Sequence, residues 1–214
     1  MSTARSCYLH PCGILLYCTL AMRIRYNAPV TLNFTLLAFI VLLSDTLFRT
    51  GFIPNLFSVP GRGVFQFSNP FHYVRLFTHV VGHVNWAHFL GNFALLLLLG
   101  PILEEKYGSA ALFFMMMVTA FITGLLNVLF LPTGLLGASG IVFMMIILVS
   151  FTNIRQGEIP ITFLLVLTIY LAGEVIRSFQ NNSISEFAHI VGGACGSIFG
   201  FVKPARSKSS TSRG

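Results

Sequence analysis

Ser139 stands between Gly137 and Gly140 in the stretch Leu135-Leu-Gly-Ala-Ser-Gly-Ile-Val-Phe143, at the head of an apolar run whose next charge is Arg155. A serine hydroxyl is a weak nucleophile until a base sits within hydrogen-bond reach of it. The flanking glycines permit an unusual turn and a close backbone approach. They also leave the Ser139 N–H near a helix N-terminus, where an oxyanion could be held. A candidate base is His189, in His-Ile-Val-Gly-Gly-Ala-Cys-Gly, followed by Gly192, Gly196 and Gly200 at intervals of four. That spacing makes a smooth helix face on which another helix can pack backbone to backbone. If the partner is the Ser139 helix, imidazole and hydroxyl meet as base and nucleophile, and Phe143, one turn beyond Ser139, can stack on the ring and fix its plane. The alternatives are a serine bonded to a helix carbonyl and a histidine incidental to glycine packing. Ionisable groups at membrane depth favour the functional reading of His189.

A third cluster comprises His79, His83, His88 and Asn92. His88 and Asn92 lie one turn apart on one helix face, and as uncharged donors they could point at a developing oxyanion. His79 and His83 have a metal-ligand spacing, but no Cys, Asp or Glu nearby in sequence supplies a third ligand, so a metal site is the minor alternative and none is assigned. No acid is placed to complete a triad: Asp45 lies on another span, Glu174 near a span end and Glu186 near the water boundary. A Ser/His dyad is the economical assignment.

The elements that must position these groups are membrane helices. Of 214 residues, 55% are apolar and 9% charged, whereas soluble domains carry about a quarter charged residues. The chain therefore reads as an all-α polytopic membrane protein. Spans are expected at Val30–Phe48, Trp86–Leu103 with Asn85 as N-cap, Ser109–Leu131, Ser139–Phe151, Ile159–Ile176 and Ile184–Val202. Counted at the usual helical rise, Ser139 is ~24 Å from Arg155, His189 ~21 Å from Lys203, and His88 and Asn92 ~24 and ~18 Å from Glu104. All fall short of the ~30 Å hydrocarbon core, so the three clusters share one layer below the opposite boundary. The connection from Arg49 to Gly82 holds Pro54, Pro60, Pro70 and six phenylalanines, which suits an ordered loop at the membrane interface.

The formal charge of +7 does not form a stripe for nucleic acid; it flanks the spans. With six spans and both termini cytoplasmic, the inner segments collect Arg5, Arg23, Arg25, Lys106, Arg155 and the four cations of the tail. The outer ones hold only Arg49, Arg62, Arg75 and Arg177. The charge bias favours this orientation and puts the polar layer toward the outer face. Residues 1–27 read as a cytoplasmic extension, with Met22 a candidate true start. Residues 28–202 form the membrane domain, and 203–214 a disordered basic cytoplasmic tail. Cys7, Cys12, Cys18 and Cys195 form neither a disulfide framework nor a paired metal pattern.

These residues resemble the rhomboid intramembrane serine proteases. The likeness rests on His79-x3-His83-x4-His88-x3-Asn92, on Gly137-Ala138-Ser139-Gly140, and on His189, Gly192 and Gly196, and it covers about Val30 to Val202. The resemblance implies a six-helix rhomboid-like bundle of bacterial type in the inner membrane, without a cofactor. Ser139 is then the nucleophile and His189 the general base, while His88, Asn92 and the Ser139 N–H hold the oxyanion and His83 orders the long loop. Val74 stands before Arg75 where the family often has Trp, and Phe143 where it commonly has Tyr. The implied activity is hydrolysis of peptide bonds in or near membrane spans of single-span proteins in the lipid bilayer. The alternative is a catalytically inactive relative that binds or chaperones membrane helices. A small transporter is a third reading, for which no internal repeat speaks.

Overall fold

The computed structural model describes residues 6–8, 17–19, 26–154 and 183–202, with a few positions between 161 and 172. Helix α1, Pro29–Phe48, begins with proline at its first turn, where a missing N–H costs nothing. Ala28 offers no capping side chain, so the cap comes from elsewhere in the chain. The Glu104 carboxylate accepts the Val30 N–H at 3.0 Å, the Thr31 N–H at 3.2 Å and the Thr31 hydroxyl at 3.0 Å. At the other end Arg49 turns the chain with φ 50°, and the Asp45 carboxylate accepts from Thr50 Oγ1 at 3.0 Å and Phe52 N at 2.9 Å. Asp45 is thus occupied in holding the turn into α2, Phe52–Leu56.

The connection from Arg49 to Gly82 is ordered, as its composition suggests, but it is more than a loop. Besides α2 it holds α3, Pro70–Thr78, with Pro70 in the first turn and the Asn69 side chain accepting from Phe71 N at 3.0 Å. α3 turns Leu76 inward and leaves Phe71, Val74 and Phe77 exposed. Such a short amphipathic helix suits a position along an apolar boundary.

Helices α4, Trp86–Tyr107, and α5, Ser109–Phe130, are joined at Gly108, whose φ of 87° makes the sharp reversal. The expected Asn85 cap is present, accepting the His88 N–H at 2.8 Å. α4 runs one turn further than its apolar stretch, because Glu104 is buried and hydrogen-bonded instead of marking a wet boundary. α6, Ser139–Ile154, and α7, Ser183–Val202, complete the described helices. α6 is apolar on all sides because it is the centre of the bundle: Ile141 through Ile146 and Leu148 are at most 3% exposed, and the helix touches α4, α5 and α7. Its closest partner is α7. A β-carbon at Gly192 would overlap the Gly140 carbonyl, and one at Gly196 would lie 2.5 Å from the Met144 oxygen. The backbones therefore touch, as the glycine spacing predicts.

α1, α4 and α5 are each long and apolar enough to cross a membrane; α6 and α7 are apolar over the shorter stretches Ser139–Ser150 and Glu186–Val202. Of the expected fifth span, Ile161, Leu164, Leu165, Thr168, Ile169 and Ala172 are helical and exposed, and its remaining residues lie outside those described. The 203–214 tail also lies outside them. In the N-terminal extension a three-residue antiparallel pair, Ser6–Tyr8 with Tyr17–Thr19, departs from an all-helical chain.

Candidate active site

Ser139 is the first residue of α6 and is 8% exposed. The turn that delivers it is sewn to the long connection by backbone hydrogen bonds. Leu135 and Val59 exchange both N–H···O bonds at 2.9 Å, and the Gly137 N–H donates to the His79 carbonyl at 2.9 Å. Gly137 has φ +117°, which side-chain-bearing residues rarely adopt, and a β-carbon there would lie 2.6 Å from His88 Cε1. Conformation and close approach both demand glycine at this position.

The next tether is His83. Its Nδ1 lies 3.1 Å from the Val81 carbonyl, so Nδ1 carries the proton and Nε2 is left to accept the Ala138 N–H, 3.4 Å away. Burial, reinforced by the nearby His88, pushes the His83 pKa down to about 4 against the raising effect of the Val81 bond. The ring is therefore neutral near pH 7, as an acceptor must be. His79 is fully enclosed, and burial lowers its pKa to about 4 as well. Its Nδ1 faces the Arg75 carbonyl at 3.2 Å and its Nε2 the Thr123 hydroxyl at 3.4 Å. The ring nitrogens of both histidines thus point at protein groups. His79 belongs to the histidine motif, yet its main-chain role on Gly137 has no signature in the sequence.

The His88 ring packs 5.0 Å from His83 and lies against Gly137, two residues before Ser139. Asn92, one turn along α4, is 3% exposed, and its Nδ2 has no hydrogen-bond partner among the described residues. A buried amide donor left unsatisfied is costly and invites a functional explanation.

From the other side comes His189, 5% exposed on α7. Its ring stacks on Phe143 at 4.1 Å with an interplanar angle of 13°. Phe143 shares a helix face with Ser139, one turn away, so the imidazole lies on the Ser139 side of α6. The contact is fixed by what surrounds it. The Ala188 carbonyl would lie 3.3 Å from a β-carbon at Gly140, and Gly192 meets the Gly140 carbonyl. Among the acids, Asp45 caps the turn into α2, Glu186 lies one turn before His189, and Glu174 falls outside the described residues.

The arrangement is a buried hydroxyl at a helix N-terminus, an imidazole stacked on Phe143 one turn along that helix, and the His88 ring against the Gly137 turn with Asn92 one turn further along α4. A model of the Rhomboid domain matches residues 70–206. The chain is 26% identical over 139 residues to Rhomboid protease GlpG of Haemophilus influenzae, covering 64% of this chain and 72% of that protein. It is 30% identical over 136 residues to RHOMBOID-like protein 1 of Arabidopsis thaliana, covering 60% of this chain and only 34% of the plant protein. With its apolar helices and a domain match over most of its length, the chain is an integral membrane protein that belongs to the rhomboid family.

Proposed function

We propose that this protein is an intramembrane serine endopeptidase that cuts peptide bonds in or near the spans of single-span membrane proteins through a Ser139–His189 dyad. The observation that carries the reading is the His189 ring stacked at 4.1 Å on Phe143, one helical turn from Ser139. Ser139 Oγ attacks the carbonyl carbon as His189 takes its proton. The tetrahedral oxyanion is met by His88, the unpartnered Asn92 amide and the Ser139 N–H, which as a helix N-terminal donor has no intrahelical acceptor. Collapse to an acyl-enzyme returns the proton to the leaving amine, and water then repeats the sequence. His83, Gly137 and Gly140 hold the nucleophile turn, and Gly192 and Gly196 hold the α6–α7 approach on which His189 depends.

A peptide bond inside a helix is hydrogen-bonded and shielded. Substrates should therefore carry Gly or other helix-weakening residues near the outer interface. The proposal includes six spans in residues 28–202, cytoplasmic termini flanking them at 1–27 and 203–214, and a bacterial inner-membrane location with the site toward the outer face. The test is proteoliposome cleavage of a single-span protein of that kind. Fragments cut near the span's outer edge should form with wild type and not with Ser139→Ala. A folded wild type that binds such helices and never cuts them would replace this reading with the helix-binding one.

A further inference from the structure

α1 leans on α4 and α5 leans on α3, so the facing flanks of α1 and α5 touch only briefly, and a crevice of about 410 Å³ opens between them. Among the described residues its walls are Val30, Phe34 and Leu37 of α1 and Phe113 and Met117 of α5, and its roof is the segment Phe77–Val81. That volume falls in the lower part of the roughly 300–1,000 Å³ typical of ligand sites. The polar side chains along it are Asn33 and Thr78. Asn33 already accepts from Tyr26 Oη at 2.8 Å, and Thr78 donates to the Leu56 carbonyl at 3.3 Å. A buried water needs two to four polar partners, so water does not fill such a space.

The crevice is continuous with the hydrocarbon-facing surface, where Leu36, Leu37 and Ile40 of α1 and Phe113 and Phe114 of α5 are exposed. Its walls come from the first three turns of α1 and the second and third turns of α5, in the half of the bundle where Glu104 caps Val30 and Gly108 joins α4 to α5. Toward the other end it is closed by the roof. An occupant must therefore be slender and apolar, and it must enter from the leaflet at the Pro29/Ser109 end. An acyl chain meets those conditions; a head group or a polar solute does not.

We propose that the crevice holds one acyl chain of a glycerophospholipid from that leaflet, with its methyl end under Phe77–Val81. The roof contains His79 and leads directly to His83, the residues that hold Gly137 and Ala138. The chain thereby underpins the turn that presents Ser139, and this consequence, unlike the binding itself, rests on the proposed proteolytic role.

The test uses the full chain in nanodiscs of phosphatidylethanolamine and phosphatidylglycerol, with a trace of lipid carrying a diazirine near one acyl terminus. Cross-links should concentrate on Phe77–Val81 and on the α1 and α5 walls. Filling the space with Leu37→Trp and Met117→Phe should abolish those cross-links while leaving labelling of exposed Leu98 on α4 unchanged. The filled variant should also retain one phospholipid fewer by native mass spectrometry. Labelling of wild type spread evenly over Leu98, Phe114 and Ile198 overturns the proposal. So does a filled variant that keeps its roof cross-links or its lipid count. The wild-type map decides even if the double variant does not fold, and no readout depends on proteolysis.

Discussion

Gly196→Ala perturbs the α6–α7 contact without touching any residue assigned to chemistry. A β-carbon at this position would lie 2.5 Å from the Met144 carbonyl oxygen and 3.1 Å from Ile147 Cβ, and ordinary contact begins at 3.4 Å. The two helices must therefore part by roughly 0.9 Å, an overpacking change that costs about 1–3 kcal/mol of stability. His189 lies about two helical turns before Gly196 on the same rigid element. The shift is therefore carried to the imidazole, whose ring sits only 4.1 Å from Phe143. Misplacing a catalytic group by ~1 Å costs on the order of 10²-fold in rate. The expected outcome is a kcat/KM lowered about 10²-fold in proteoliposome cleavage of a fluorogenic single-span substrate, with a lowered unfolding temperature. Gly193→Ala is the matched control, because a β-carbon there would meet Ile147 Cγ1 at an ordinary 3.7 Å and the helices need not move. Equal losses in the two variants, or a fully active and fully stable Gly196→Ala, would refute the backbone-contact reasoning.

Other outcomes follow from the same contacts. Asn92→Ala removes a buried, unpartnered donor that the proposed mechanism assigns to the oxyanion, so kcat should fall about 10²–10³-fold with KM little changed in steady-state kinetics. Glu104→Ala strips the acceptors from Val30 and Thr31 at the start of α1. It should cost about 1–3 kcal/mol by thermal unfolding while the folded fraction keeps its kcat. His79 and His83 sit in the connection before α4 with pKa values lowered to about 4 from 6.5. Each contributes stability that is complete above pH 6.5 and is lost as pH falls from 6.5 through 4, up to about 3 kcal/mol apiece. Unfolding temperature against pH should show that decline, and His83→Ala should flatten part of it.

The start of α6 at Ser139, the Asn85 cap and the glycine-lined approach of α7 were legible because each depends on residues a turn or two apart. The stack of Phe143 on His189 was legible for a related reason, since the glycine spacing singles out the face on which α7 must pack. Glu104 shows where such reading fails. Among the charges after an apolar stretch it resembles a span boundary, yet its partners Val30 and Thr31 lie more than seventy residues away. The carbonyl of His79 on the Gly137 N–H is similar, because a main-chain acceptor leaves no trace in residue type. α3 had a local signal in Asn69 followed by Pro70, but the aromatic content of the connection favoured an interfacial loop over a helix. The strand pairing of Ser6–Tyr8 with Tyr17–Thr19 lies in three-residue pieces too short for a periodicity to register.

The central claim is that His189 activates the Ser139 hydroxyl. The most direct measurement is the rate at which a fluorophosphonate forms an adduct on the intact protein in bilayers, located by peptide mass spectrometry. Wild type should carry the adduct on Ser139, Ser139→Ala none, and His189→Ala should react far more slowly at an unchanged unfolding temperature. A folded wild type that takes no label, or a His189→Ala variant that labels at the wild-type rate, would contradict it.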